Sequence, residues 1–437
     1  MKQSPTISES KRLVSSLAWL ERAQHLIPAA TQTLSKRPTQ FARGLSPAFL
    51  QHGQGCRVTD VDDQTYLDYS MALCAVVLGY NYPAVTEAIG RQLQHGTIFS
   101  LAHPLEVEVA QRLVDIVPCA EMVRFCKNGS DATSGAIRLA RAVTGRERVA
   151  VCGYHGAQDW YVGTTAWHRG VPSSTRRLSQ PFAYNDLDSL DQLLRSAPHE
   201  FAAVILEPVS MTPPAEGFLR AVVELSHRHG ALVIFDEIVT GFRLRLGGAQ
   251  ELFGVAPDLA CVGKGMANGM PLAAVVGRRD LMREFEGIFF SYTFGGETLS
   301  LAAAAATIDE MKTHDVIDHL WRVGEQLQHG TRQLLEQFGL MKRVVCLGYP
   351  PRHVLRFLDE DGKDSPVLKT LFLQETIKRG ILTAGAHNLS FSHTLADVTW
   401  TLERYAEIFA IMREAVDSGH VHSFLEVPVV EPVFRSL

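Results

Sequence analysis

The stretch that most constrains this 437-residue chain runs from Ala231 to Lys264. Residues 231–235 (ALVIF) form a short apolar run, β-branched enough for a buried strand, and it closes on two acids, Asp236 and Glu237. A second short run, 259–262 (LACV), stops two residues before Lys264, which stands between Gly263 and Gly265. The helical pattern FLRAVVELSHRHG precedes the first run, and this strand–helix–strand alternation predicts a mostly parallel sheet. Ligands of open α/β sheets sit outside the carboxyl ends of the strands, so an acid and a lysine closing two strands are placed to meet one. The competing reading is an ordinary ion pair, since structural pairs also occupy strand ends.

An acid and a lysine so placed suit pyridoxal phosphate (PLP) chemistry. The lysine amine condenses with the cofactor aldehyde, and the carboxylate keeps the pyridine nitrogen protonated so that the ring draws electrons from a carbanion. A lysine has an ordinary pKa of about 10.4, so it must be made nucleophilic by desolvation or by conversion to the imine. The glycines beside Lys264 are expected to let a cofactor approach the backbone. The wording FDEIVTGFR, followed by GGAQELFGVAPDLACVGKGMANGMPLAAVVG, closely resembles the PLP-lysine region of class III aminotransferases, and within them the glutamate-1-semialdehyde 2,1-aminomutase branch. The likeness extends from about Arg57 (RVTDVDDQTYLDY, GYNYPAV) through Ala303, and more weakly to about Glu403. It implies a fold-type I PLP transferase: α/β, with a mostly parallel central sheet in a large domain and a small α+β domain. It also implies Lys264 as the Schiff-base lysine, Asp236 as the partner of the pyridine nitrogen, and Ile238 against one ring face.

Upstream, VRFCKNGS reads as strand then turn, and DATSGAIRLARAV as helix. A Gly-Ser turn opening a helix offers unpaired N–H groups and the positive end of the helix dipole, a site ready for phosphate, although Ser and Asp caps are also common in purely structural helices. In the resembling family Gly129 and Ser130 match the phosphate-binding pair; Asp131 either belongs with them or answers the dipole. The strand RVAVC leads to Tyr154 and His155, and the resemblance implies that Tyr154 covers the PLP ring. His155 reads either as a proton shuttle or as a hydrogen-bonded structural residue. Glu207 ends the strand AAVIL and matches the family's Glu-Pro-Val motif, where it is expected to orient hydrogen bonds or to serve structure alone. The resemblance further implies that Thr293 reaches the phosphate of a neighbouring subunit, hence a homodimer of twofold symmetry. Glu297 stands where many relatives have Asn.

The chain divides, on pattern, into an N-terminal helix and small hairpin segment (1–75), a large PLP-binding domain (76–310) and a C-terminal small domain (311–437). Residues 8–27 carry a helical period, residues 56–69 alternate like a hairpin, and the aperiodic stretch 159–177 is expected to be a mobile lid. The likeness departs from the aminomutase pattern at three places. Ser35 falls where its carboxylate-binding arginine belongs, with Lys36 and Arg37 beside it; Ser210, Met211 and Thr212 replace a Gly-Asn pair; and Gly385 takes the position of an acid. Ser35, Arg37, His155, His387 and Asn388 are the candidate substrate contacts.

A net charge of −5 gives no electrostatic reason to expect nucleic acid or an anionic membrane, and no window approaches the ~18 apolar residues of a membrane span. Seven scattered cysteines lack metal-ligand spacing and suggest a reducing cytoplasm, with no metal expected. The favoured function is amino transfer between a small-molecule amine donor and an aldehyde or ketone acceptor. Intramolecular transfer of the aminomutase kind is the runner-up, a racemase or epimerase the third reading, and a binding protein that has lost catalysis the fourth.

Overall fold

The computed structural model describes residues 13–431. Residues 13–73, 78–82 and 318–431 gather into one compact unit, and residues 74–77 with 83–317 into a larger one. In the smaller unit the expected hairpin is present. Strand β1 (Leu50–Gln54) pairs antiparallel with β2 (Arg57–Asp60), which turns back into β3 (Thr65–Asp68). Asp60 makes that turn: its carboxylate accepts the N–H groups of Asp62 and Gln64, and the Tyr66 hydroxyl.

The hairpin is not a body of its own, which corrects the expected division at residue 75. A two-residue strand, Ile381–Leu382, lies parallel to β3 with Ile381 opposite Leu67, so the N-terminal segment and the C-terminal part share one sheet. Two residues carry no readable period, which is why the sequence pattern did not join them. The two compact units meet in the chain at 317–318, where the other expected boundary was 310–311. The first helix spans Val14–Leu26, and the start of its expected range lies outside the described residues.

The larger unit is built on seven strands: β4 (Met122–Cys126), β5 (Arg148–Cys152), β6 (Ser179–Pro181), β7 (Phe201–Leu206), β8 (Leu232–Asp236), β9 (Leu259–Val262) and β10 (Ala273–Gly277). Their order is β4-β10-β9-β8-β7-β5-β6, and only β10 runs against its neighbours. The central strands are continuous apolar runs because both faces are covered: every residue of β7, β9 and β10 is buried. Helices Gly129–Thr144 and Phe218–Arg228 supply apolar stripes to the two cores flanking the sheet. The aperiodic stretch 159–177, expected as a mobile lid, holds two short helices, and Trp160 and Tyr161 are buried in one of the cores. No helix among the described residues is long and apolar enough to cross a membrane.

Candidate active site

The carboxyl ends of β4, β5, β7, β8 and β9 open on a cavity of about 350 Å³, a volume suited to a small cofactor. Its walls include Asn128, Gly129 and Ser130 after β4, Tyr154 and His155 after β5, Glu207 after β7, Asp236 and Ile238 at β8, and Lys264 after β9. Met270, Pro271 and Leu272 complete it from the segment that enters β10. This segment reaches the same rim because β10 is antiparallel, so its beginning lies where its neighbours end.

Asp236 is the best-held group. It is buried, its Oδ1 accepts the Ile238 N–H at 3.1 Å, and its Oδ2 lies 2.8 Å from His155 Nδ1. The other ring nitrogen, Nε2, is 3.1 Å from the Cys152 carbonyl, which can only accept. Nε2 thus faces an acceptor while Nδ1 faces the carboxylate. His155 is completely enclosed, with Trp160 stacked parallel to it and Tyr161 edge-on. Of the two readings from sequence, the hydrogen-bonded partner fits this geometry, and what it partners is the acid of the cavity.

Glu237, the adjacent acid, turns the other way. Its carboxylate accepts the Thr240 hydroxyl and the amides of Ala249 and Gln250, tying down the loop after β8, and burial pushes its pKa up. The two acids closing one strand thus divide between cavity and scaffold.

Opposite chemistry governs the mouth of helix Gly129–Thr144. Asn128 caps it, accepting the Asp131 N–H while Asp131 accepts the Asn128 N–H, so Asp131 serves the cap. The first amides of a helix have no intrahelical acceptor, and here the two residues that open the helix, Gly129 and Ser130, line the cavity. Ser130 Oγ accepts the Ala157 N–H at 3.0 Å and keeps its own proton for a ligand. A side chain at Gly156 would collide with Ser130 Oγ at 2.3 Å, so the cradle needs glycine there. These donors fit a phosphate group.

Tyr154 is half exposed toward the cavity, its N–H donates to Glu207 at 2.8 Å, and burial with the charges of Asp236 and Glu207 raises its pKa. Lys264 opens a short 3-10 turn with φ at 44°, a left-handed conformation uncommon outside glycine. Gly263 does not make room for a cofactor as expected: a Cβ there would press on Ile238 Cδ1 at 3.0 Å, and one at Gly129 on the same side chain at 3.2 Å. The two glycines clear space for Ile238.

The residue pattern of the family described as Aminotransferase class-III matches positions 40–416. The chain belongs to the class III aminotransferases. It is 33% identical over 418 residues to the 3-aminobutyryl-CoA aminotransferase of Cloacimonas acidaminovorans (strain Evry), covering 93% of this chain and all of that one. It is 33% identical over 424 residues to the glutamate-1-semialdehyde 2,1-aminomutase of Syntrophobacter fumaroxidans (strain DSM 10017 / MPOB), covering 90% and 97%. Among solved structures, the PLP internal aldimine form of the Sphingopyxis sp. MTA144 FumI protein superimposes with a TM-score of 0.86 at 28% identity, over 95% of this chain and 98% of that one. The resemblance read from sequence and the α/β fold it implied are both upheld.

Within this class III chain the cavity brings together Gly129, Ser130, Tyr154, His155, Glu207, Asp236, Ile238 and Lys264. Thr293 belongs to the same unit, is exposed and does not line the cavity. In the smaller unit Ser35 lies on a short 3-10 turn, Leu34–Lys36, and Arg37 is the extended residue between it and the next, Pro38–Gln40. His387 and Asn388 also belong there, and both are buried, with His387 Nε2 2.6 Å from the Tyr405 hydroxyl and Asn388 Nδ2 donating to the Ser70 carbonyl. Sequence reasoning passed over Lys127 and Asn128; the Asn-x-x-Asp spacing from 128 to 131 was the available signal for the second.

Proposed function

We propose that this chain is a PLP-dependent aminotransferase moving an amino group from a small-molecule amine donor to an aldehyde or ketone acceptor. The observation that carries the reading is the His155–Asp236 pair facing the cavity that Lys264 also lines. When bound, PLP supplies an aldehyde that captures amines and a protonated pyridine ring that draws electrons from the carbon losing its proton. The chain's residues do the rest. Asp236, its direction fixed by His155, holds the proton on the ring nitrogen. The Gly129 and Ser130 amides and the Ser130 hydroxyl grip the phosphate. Tyr154, whose N–H is held by Glu207, and Ile238 would hold the ring between them. The ε-amine of Lys264, which lines the same cavity, would be the group that takes and returns the proton at the amine-bearing carbon.

Two features narrow the donor. Ser35 stands where the aminomutase arginine would meet a carboxylate, and one relative's name specifies an amino acyl thioester, which has no free carboxylate. Both favour a donor without an α-carboxylate. The aminomutase relatives support intramolecular transfer as a second reading. One experiment separates the two: purified protein incubated with PLP should show a visible absorbance band that shifts on adding an amine, and turnover should require an added carbonyl acceptor. Turnover without an acceptor favours the mutase; a protein that stays colourless refutes both.

A homodimer in which Thr293 serves the neighbouring cavity is part of the proposal. Thr293 is flanked by Phe289, 85% exposed, and Phe294, 58% exposed, an apolar surface that a second chain would cover. The native mass in solution tests it.

A further inference from the structure

Lys127 immediately precedes the phosphate cradle, and its ammonium has three protons to place. All three find acceptors on other segments: the Pro271 carbonyl at 3.0 Å, Glu297 Oε2 at 3.2 Å and Ser300 Oγ at 3.3 Å. Pro271 lines the cavity from the segment following Lys264, while Glu297 caps helix Thr298–Thr313 by accepting the Leu299 and Ser300 amides. Glu297 is also the position at which this chain departs from the Asn of many relatives. Both side chains are largely withdrawn from water, 19% and 15% exposed. Burial opposes the charge on Glu297, yet hydrogen bonds from Ser300, Leu299 and Lys127 hold its carboxyl below the usual range.

We infer that Lys127 and Glu297 are a positioning pair that locks the phosphate cradle, the segment after Lys264 and the start of helix Thr298–Thr313 into one rigid rim, so that cofactor grip depends on a contact outside the phosphate's own ligands. Lys127 lines the same cavity, and its ammonium acts there through these three acceptors. This rests on the reading above that the cavity holds PLP.

The test is the PLP dissociation constant of the full-length apoprotein, measured by absorbance titration alongside its thermal midpoint. Lys127→Met should weaken PLP binding about tenfold, the usual scale for a group supporting the direct ligands. Glu297→Asn keeps a capping residue at the helix start while removing the charge, and should weaken PLP binding in the same direction; it also reads the effect if Lys127→Met fails to fold. The double variant Lys127→Met/Glu297→Asn decides between positioning and mere charge compensation. Removing both partners relieves an unpaired buried charge, so its thermal midpoint should recover while PLP binding stays weak. The inference is overturned if PLP affinity in the single variants stays within about twofold of wild type, or if the double variant restores it. A wild-type protein that takes up no PLP instead sinks the proposed function itself.

Discussion

Two groups of buried histidines in this chain meet opposite fates. In the larger unit His155 is enclosed with both nitrogens satisfied, one by a carboxylate and one by a carbonyl. In the smaller unit His353, His387 and His393 are equally enclosed, yet His353 Nε2, His387 Nδ1 and His393 Nε2 each lack a hydrogen-bond partner among the described residues. His353 and His387 stack with ring centres 4.7 Å apart, and Tyr69 lies parallel to His393. Burial drives His353 and His393 down to about 4, and His387 well below its ordinary value. The nearby charges, Arg57 with Asp397 and Arg332, do not offset it. An imidazole given a carboxylate is held, fully paired, at the cavity wall; imidazoles buried without one form a core that resists charge.

The largest test of this contrast removes the group that the first arrangement serves. Lys264→Ala should lower kcat by on the order of 10³-fold or more in a steady-state assay and abolish the visible band, while the acid unfolding profile stays as it is. Next comes the carboxylate's partner. His155→Phe keeps a flat ring but leaves Asp236 without its hydrogen bond, and kcat should fall about 10- to 100-fold. If His155 is only packing, kcat will hold while the thermal midpoint drops.

The histidine core is tested by pH. Its folded imidazoles hold protons less tightly than unfolded ones, so the unfolded state takes up protons first as the pH falls below about 6.5. Stability is complete above that value and declines toward pH 4, by on the order of 3 kcal/mol for each such histidine. Asp68 works the other way, since burial raises it to about 6 and its protonation favours the fold over part of the same window. Three histidines outweigh one acid. Urea midpoints from pH 7.5 to 4.5 should fall steeply, and His353→Phe should flatten the slope; a flat wild-type profile would end this part of the contrast. The smallest effect asks whether the histidine-bearing unit influences substrate choice. Ser35→Arg should raise kcat/KM for carboxylate-bearing donors by a few-fold, on the scale of one exposed ion pair, and no gain would count against Ser35 as a selectivity position.

Most of the sheet and its cavity were legible because the central strands are short apolar runs closed by a charge or a turn, and local wording places Asp236, Lys264 and Gly129–Ser130 at strand ends; the edge strand β6, Ser-Gln-Pro, carries no such signal. Contacts between distant positions were not. His155 and Asp236 are 81 residues apart and meet because β7 alone separates β5 from β8. Lys127 and Glu297 are 170 apart. His387 and Asn388 looked available because nothing in their neighbourhood of the sequence announces the stacked rings and the Ser70 carbonyl that enclose them.

The reversed direction of β10 has a mechanical side. The residues from Lys264 to Leu272 leave one strand and re-enter its neighbour on the same edge, so the ε-amine is mounted on an arch with both feet planted. A load applied to that side chain is shared by two strands of the sheet.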